Sequence, residues 1–215
     1  MIDLAPLDTL FVIAALLPAI MLHELSHGLV ASRMGDLTPK LSGRLTLNPA
    51  RHVDPVGTVI VPALLLLPVL FGRSAPFAFG YAKPMPLDRS NLKNPDRQII
   101  WISLAGPLTN LALAVVGALV LRFTAASPPS ALFRFLDIWV FINVFVAVIH
   151  VFPIPPLDGS RVLAVFLPGR ARQVFENLEP YGPLFILLIL FLLPAPVLGL
   201  AGGAADGLRT LLVGA

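Results

Sequence analysis

Long apolar stretches separated by short polar ones dominate the chain, and the clearest run over about 6–34, 97–122, 133–152 and 181–200. About 20 apolar residues at 1.5 Å each cross a bilayer core, so these stretches predict transmembrane α-helices. The first starts at Pro6 and stops at Gly35; it has no basic leader and stays apolar, which predicts a retained helix rather than a cleaved signal. A further apolar run, 56–71, carries Pro62 and Pro68, which spoil a uniform helix and predict a segment that dips in and returns. Between the helices, Lys40–Leu47 alternates weakly at period two and ends at Asn48-Pro49, predicting a short strand or hairpin at the membrane surface. Phe77–Pro86 is proline-marked and predicts strand or polyproline backbone. Helix 133–152 breaks at Pro153-Ile154-Pro155-Pro156, and the Gly- and Ala-rich tail 201–215 predicts a short amphipathic helix. The expected fold is an all-α polytopic membrane protein: a transmembrane helix bundle with a broken helix and short membrane-associated β-strands. One domain is expected over 1–215, with a core of about 6–170 followed by a C-terminal span and tail, 181–215.

Composition strengthens the membrane reading: 57% of residues are hydrophobic and 13% charged, with a mean hydropathy of +0.87. The net charge of +3 comes from scattered Lys and Arg without basic runs, which excludes a nucleic-acid surface. The absence of cysteine excludes disulfides and thiolate metal sites. Charge also bears on topology. If 56–71 re-enters rather than crosses, Arg122, Arg134 and Arg209 fall on one side and the other twelve of the fifteen Lys and Arg on the opposite side. The positive-inside rule then predicts four full spans with both termini outside.

Polar groups inside the apolar stretches supply the candidate chemistry. His23-Glu24-Leu25-Ser26-His27 is an HExxH motif. On a helix, His23 and His27 leave the same face one turn apart and can grip one metal ion. Glu24 lies about 100° round from His23, beside the metal's open position, as a general base requires. Ionisable groups at bilayer depth are costly unless paired or coordinated, so the cluster reads as functional. With no cysteine, the third ligand must be a carboxylate or histidine. Asp158, behind the proline break, is the best candidate, with Asp137 as a rival nearer the interface. Asn110 reads as an interhelical hydrogen bond. His52 and Asp54 offer either a second metal pair or side chains that fix a turn, and the turn is favoured.

Taken together, several stretches resemble the site-2 protease family of intramembrane zinc metalloproteases, in its compact bacterial subclass. They are His23–Gly28, Gly43–Pro49, His52–Thr58, Gly80–Pro86, Ala105–Asn110 and Pro153–Gly159. The resemblance implies Zn2+ on His23, His27 and Asp158, Glu24 as catalytic base, and Asn110 helping to hold substrate. At position 150 the family commonly has Asn and this chain has His150, which can donate to a reacting carbonyl, titrate or compete for metal. Implied partners are the lipid bilayer and membrane-spanning proteins or peptides, such as anti-sigma factors or leftover signal peptides, with no nucleic acid. The expected location is a bacterial cell membrane, and the charge-based topology above places the active site nearer the cytoplasmic face. A proteolytically silent zinc-binding protein that holds membrane peptides is the alternative, and intact Glu24 argues against it. A transporter would string acidic residues along several helices, and this chain does not.

Overall fold

A computed structural model describes residues 6–60, 82–124, 130–192 and 194–214. Eight α-helices are found among them. They are α1 (Pro6–Arg33), the single turn α2 (Thr38–Leu41), α3 (Pro95–Phe123), α4 (Ala131–Val151), α5 (Asp158–Phe166), α6 (Gly169–Asn177), α7 (Gly182–Leu192) and α8 (Pro194–Val213). Three are long and apolar enough to cross a membrane: α1 from Leu10, α3 and α4. They match the first three predicted helices to within two residues at each end, because apolar length and flanking Pro or Gly fix such elements locally.

Cross-helix contacts fix the directions. Asp8 pairs with Arg134, and Phe11 meets Phe135 edge-on at 5.6 Å, while His23 meets His150 at 4.1 Å between ring centroids. Hence α1 and α4 run parallel. Gln98 Nε2 donates to Met34 O (3.0 Å) and Asn110 Nδ2 to Ala19 O (3.1 Å), so α3 lies antiparallel between them. The chain therefore leaves α1 and begins α3 at the same end of the bundle. Whether 56–71 crosses falls largely on residues outside the described ones; Pro55–Ile60 forms a π-helical turn.

One expectation is corrected. No strand occurs among the described residues. Asp36 Oδ1 accepts from the Thr38 amide and starts α2 where the alternation began, and Gly43 turns the chain at φ 65°. Leu41 is left 83% exposed, so the apolar half of the alternation has no sheet to face. Residues 82–88 have no regular structure and Lys83 makes one backbone bond, N–H to His52 O (2.9 Å); residues 79–81 lie outside the described ones. Over 181–200 the described residues lie in α7 and α8, on either side of residue 193, which is outside the described ones. Pro194 suits a first turn, and the helix described from it takes in the expected tail to Val213. Helix α8 packs Ala205 against Ala114, Ala118, Val140 and Val144, and Arg209 pairs with Asp137.

The break after α4 is compact. A Cβ on Gly159 would collide with the carbonyl of Val151, so only glycine lets the start of α5 press on the end of α4. Asp158 is thereby brought back beside His150.

Candidate metal centre

His23 and His27 lie on the buried face of α1, and both side chains are almost wholly enclosed. The enclosing wall is α3. A Cβ on Gly106 would lie 2.5 Å from His23 Nε2 and 2.6 Å from His27 Nε2, so the glycine lets the α3 backbone close over both rings. Each ring is fixed through Nδ1. His27 Nδ1 donates to Ile102 O at 2.6 Å, an obligate acceptor. His23 Nδ1 donates to Asn110 Oδ1 at 2.6 Å, while Asn110 Nδ2 donates to Ala19 O and to Asn143 Oδ1 (3.0 Å).

In a neutral ring with hydrogen on Nδ1, Nε2 carries a lone pair, and both Nε2 atoms face one carboxylate. His23 Nε2 lies 3.0 Å from Asp158 Oδ2 and His27 Nε2 lies 3.2 Å from Oδ1. Lone pairs and carboxylate oxygens at such distances repel unless a cation lies among them. One divalent ion does this for both rings at once, and an N–H on the far side given to a carbonyl is how metal-bound imidazoles are oriented. The donor set of two imidazoles and a carboxylate suits zinc. His150 joins from α4, with Nδ1 donating to Asp158 Oδ2 at 2.8 Å. Ligand atoms of His23, His150 and Asp158 all lie within 4.8 Å of one another.

Glu24 faces a different neighbour. Its Oε2 accepts from the amide of Met85 at 2.8 Å, so the irregular segment 82–88 holds the carboxylate. That segment is itself clamped: Arg44 donates to Lys83 O (2.5 Å), and Asp36 Oδ2 accepts from the Asp88 amide (2.8 Å). Burial raises the pKa of Asp36, but the hydrogen bonds from Thr38, Asp88 and Asn91 outweigh it and hold the carboxyl below its usual range.

The structure thus brings His23, His27, Asp158, His150 and Asn110 together, with Glu24 beside them. Asn110 is fully buried and spends its polar atoms on protein partners, whereas the resemblance had it holding substrate. Asp137 lies with Arg209, away from the cluster. His52 and Asp54 fix turns: His52 Nε2 bonds Thr46 O (2.8 Å), and Asp54 Oδ1 accepts from the Val56 and Gly57 amides. The sequence reading missed Asn143, although an amide two turns before His150 in an apolar helix was a usable signal. The roles of Ile102 O and the Met85 amide carried no such signal, since main-chain groups leave no mark in a sequence.

No family model matches the chain, and no solved structure matches it significantly. Among curated proteins it is 33% identical over 191 residues to "Putative zinc metalloprotease YwhC" of Bacillus subtilis, covering 86% of this chain and 81% of YwhC. It is 33% identical over 187 residues to "Putative zinc metalloprotease Rip2" of Mycolicibacterium smegmatis, covering 84% of this chain and 66% of that one. Rip2 of Mycobacterium tuberculosis is 31% identical over 185 residues, covering 85% and 67%. At this identity and coverage, the chain belongs to the same family as YwhC, a family whose members carry the zinc metalloprotease name.

Proposed function

We propose that this protein is an intramembrane zinc endopeptidase of the site-2 protease type, hydrolysing peptide bonds of membrane-spanning substrates after local unwinding. The observation that carries the reading is the pair of Nε2 atoms turned on the Asp158 carboxylate, with Glu24 next to His23 on the same helix. His23, His27 and Asp158 would hold zinc, with His150 at its side. Zinc held there supplies Lewis acidity, polarising the scissile carbonyl and acidifying a water. Glu24 takes the proton of the attacking water and passes it to the leaving nitrogen as the C–N bond breaks. The Met85 amide keeps that carboxylate aimed while the proton moves. His150 carries an N–H that can turn toward the carbonyl oxygen. A helical substrate hides its carbonyls in its own hydrogen bonds, so it must unwind before attack, and the irregular segment 82–88 is a surface on which it can lie. The bilayer of a bacterial cell is the proposed location, with the site nearer the cytoplasmic face.

The test is incubation of the purified protein with a panel of membrane-spanning peptides, with and without a chelator, beside Glu24→Gln. Cleavage should require metal and vanish in the variant while zinc content stays at one per chain. Cleavage by Glu24→Gln at the wild-type rate would refute the reading.

A further inference from the structure

A line of buried amides runs from the middle of α4 to the first imidazole, and it has a direction. Asn143 Nδ2 donates to Trp139 O at 2.9 Å, and Asn143 Oδ1 accepts from Asn110 Nδ2 at 3.0 Å. Asn110 Nδ2 also donates to Ala19 O, and Asn110 Oδ1 faces His23 Nδ1 at 2.6 Å. Which end of a side-chain amide is oxygen must be inferred from its partners. Here two main-chain carbonyls decide it. Trp139 O and Ala19 O can only accept, so each amide must turn its nitrogen toward them. Flipping Asn110 would set its oxygen against Ala19 O and Asn143 Oδ1, both acceptors. Asn110 and Asn143 are fully buried, so no solvent can repair a reversed amide.

We propose that Asn143 is a positioning residue: through Asn110 it holds His23 in the tautomer with hydrogen on Nδ1, so that the Nε2 lone pair always faces Asp158. An isolated imidazole prefers neither nitrogen strongly enough to guarantee this. Asn110 alone accepts from His23, but its orientation depends on acceptors for both of its own hydrogens, and Asn143 Oδ1 is one of the two. The relay joins three helices long enough to span: α4 gives Asn143, α3 gives Asn110 and α1 gives His23. The inference rests on His23 being a zinc ligand, as proposed above.

The test reads the tautomer directly. Full-length protein labelled with 15N-histidine is stripped of metal in detergent micelles, and the His23 signals are identified by their loss in His23→Gln. The wild type should keep hydrogen on His23 Nδ1 throughout, whether or not a proton also lies between Nε2 and Asp158 once the metal is gone. In Asn143→Leu, both tautomers should appear and zinc affinity should fall about 10- to 100-fold, the usual cost of losing an orienting partner. Asn143→Asp can still accept from Asn110, so it should restore the hydrogen on Nδ1 and most of the affinity. The proposal is overturned if wild-type His23 lacks hydrogen on Nδ1. It is equally overturned if Asn143→Leu folds with wild-type tautomer and affinity, or if Asn143→Asp behaves like Asn143→Leu. Should the leucine variant not fold, the wild-type tautomer and the aspartate variant still decide. A tautomer that follows Asn143 in a protein that never takes up zinc would uphold the relay and refute the function proposed above.

Discussion

Two glycines on α3, eleven residues apart, meet aromatic rings at the same close range and serve opposite ends. A Cβ on Gly106 would lie 2.5 Å from His23, and one on Gly117 would lie 2.5 Å from Trp139 Cδ1. Around Gly106 nearly every contact is directional: imidazole to carbonyl, imidazole to amide, imidazole to carboxylate. Gly117 instead faces Trp139 and Val140 beside the apolar cluster of Ala114, Ala118, Val140 and Val144, and the Trp139 ring makes a polar bond from Nε1 to Leu113 O at 2.9 Å. Close helix approach in an apolar protein is therefore a common means. What it delivers depends on whether the facing ring carries a lone pair.

The widest gap between the two halves should appear in their carboxylates. Asp158→Ala should lose most bound zinc by elemental analysis, because two imidazoles leave the site half built. Asp137→Ala should keep full zinc and lose only about 1 kcal/mol, since its pair with Arg209 is partly exposed. Equal zinc loss would erase the distinction. Next come the glycines themselves. Gly106→Ala should lower zinc affinity by about 10-fold or more by displacing the rings, while Gly117→Ala should leave affinity unchanged and cost about 1–3 kcal/mol in thermal unfolding from overpacking. Affinity loss in the second variant would show that the helix transmits strain along its length.

A smaller contrast lies within the site. If His150 supplies a hydrogen bond to the reacting carbonyl, His150→Ala should cut peptide cleavage about 10²-fold while His150→Asn keeps much of it. Equal rates in both would place His150 with the packing residues. The smallest effect concerns the support beneath Glu24. Asp36→Asn should cost about 1–3 kcal/mol, the range for losing hydrogen bonds to a charged acceptor. Because the folded pKa of Asp36 lies below its ordinary 3.8, this stabilisation is complete above that value and disappears as the pH falls through the folded pKa. Unfolding free energies of wild type and variant should thus converge in acid; a constant difference down to pH 2 would remove Asp36 from the account.

Legibility in the sequence followed the range of the interactions. His23, Glu24 and His27 were readable because a helix fixes their spacing locally. Asp158 was readable because an acidic residue behind a proline break in an apolar chain needs a reason. The strands were misjudged because alternation over Lys40–Leu47 specifies a strand only when a partner edge exists, and Asp36 instead offered the chain a capped turn. His150 beside Asp158 was visible only as a departure from a family pattern, and its bond across the break depends on the missing Cβ of Gly159.

The span of chain between His23 and its partners has a consequence for biosynthesis. The polar side chains of α1 leave the ribosome early, but Ile102 and Asn110 follow only after roughly 80 residues and Asp158 after about 135. At about 5–20 residues per second, the first helix waits for roughly 5–30 s before its polar face is enclosed. During that interval three ionisable groups must be kept from lipid by water, by the insertion machinery or by a metal ion captured early. A chain released before α5 has been made would hold those groups in a bundle that cannot close.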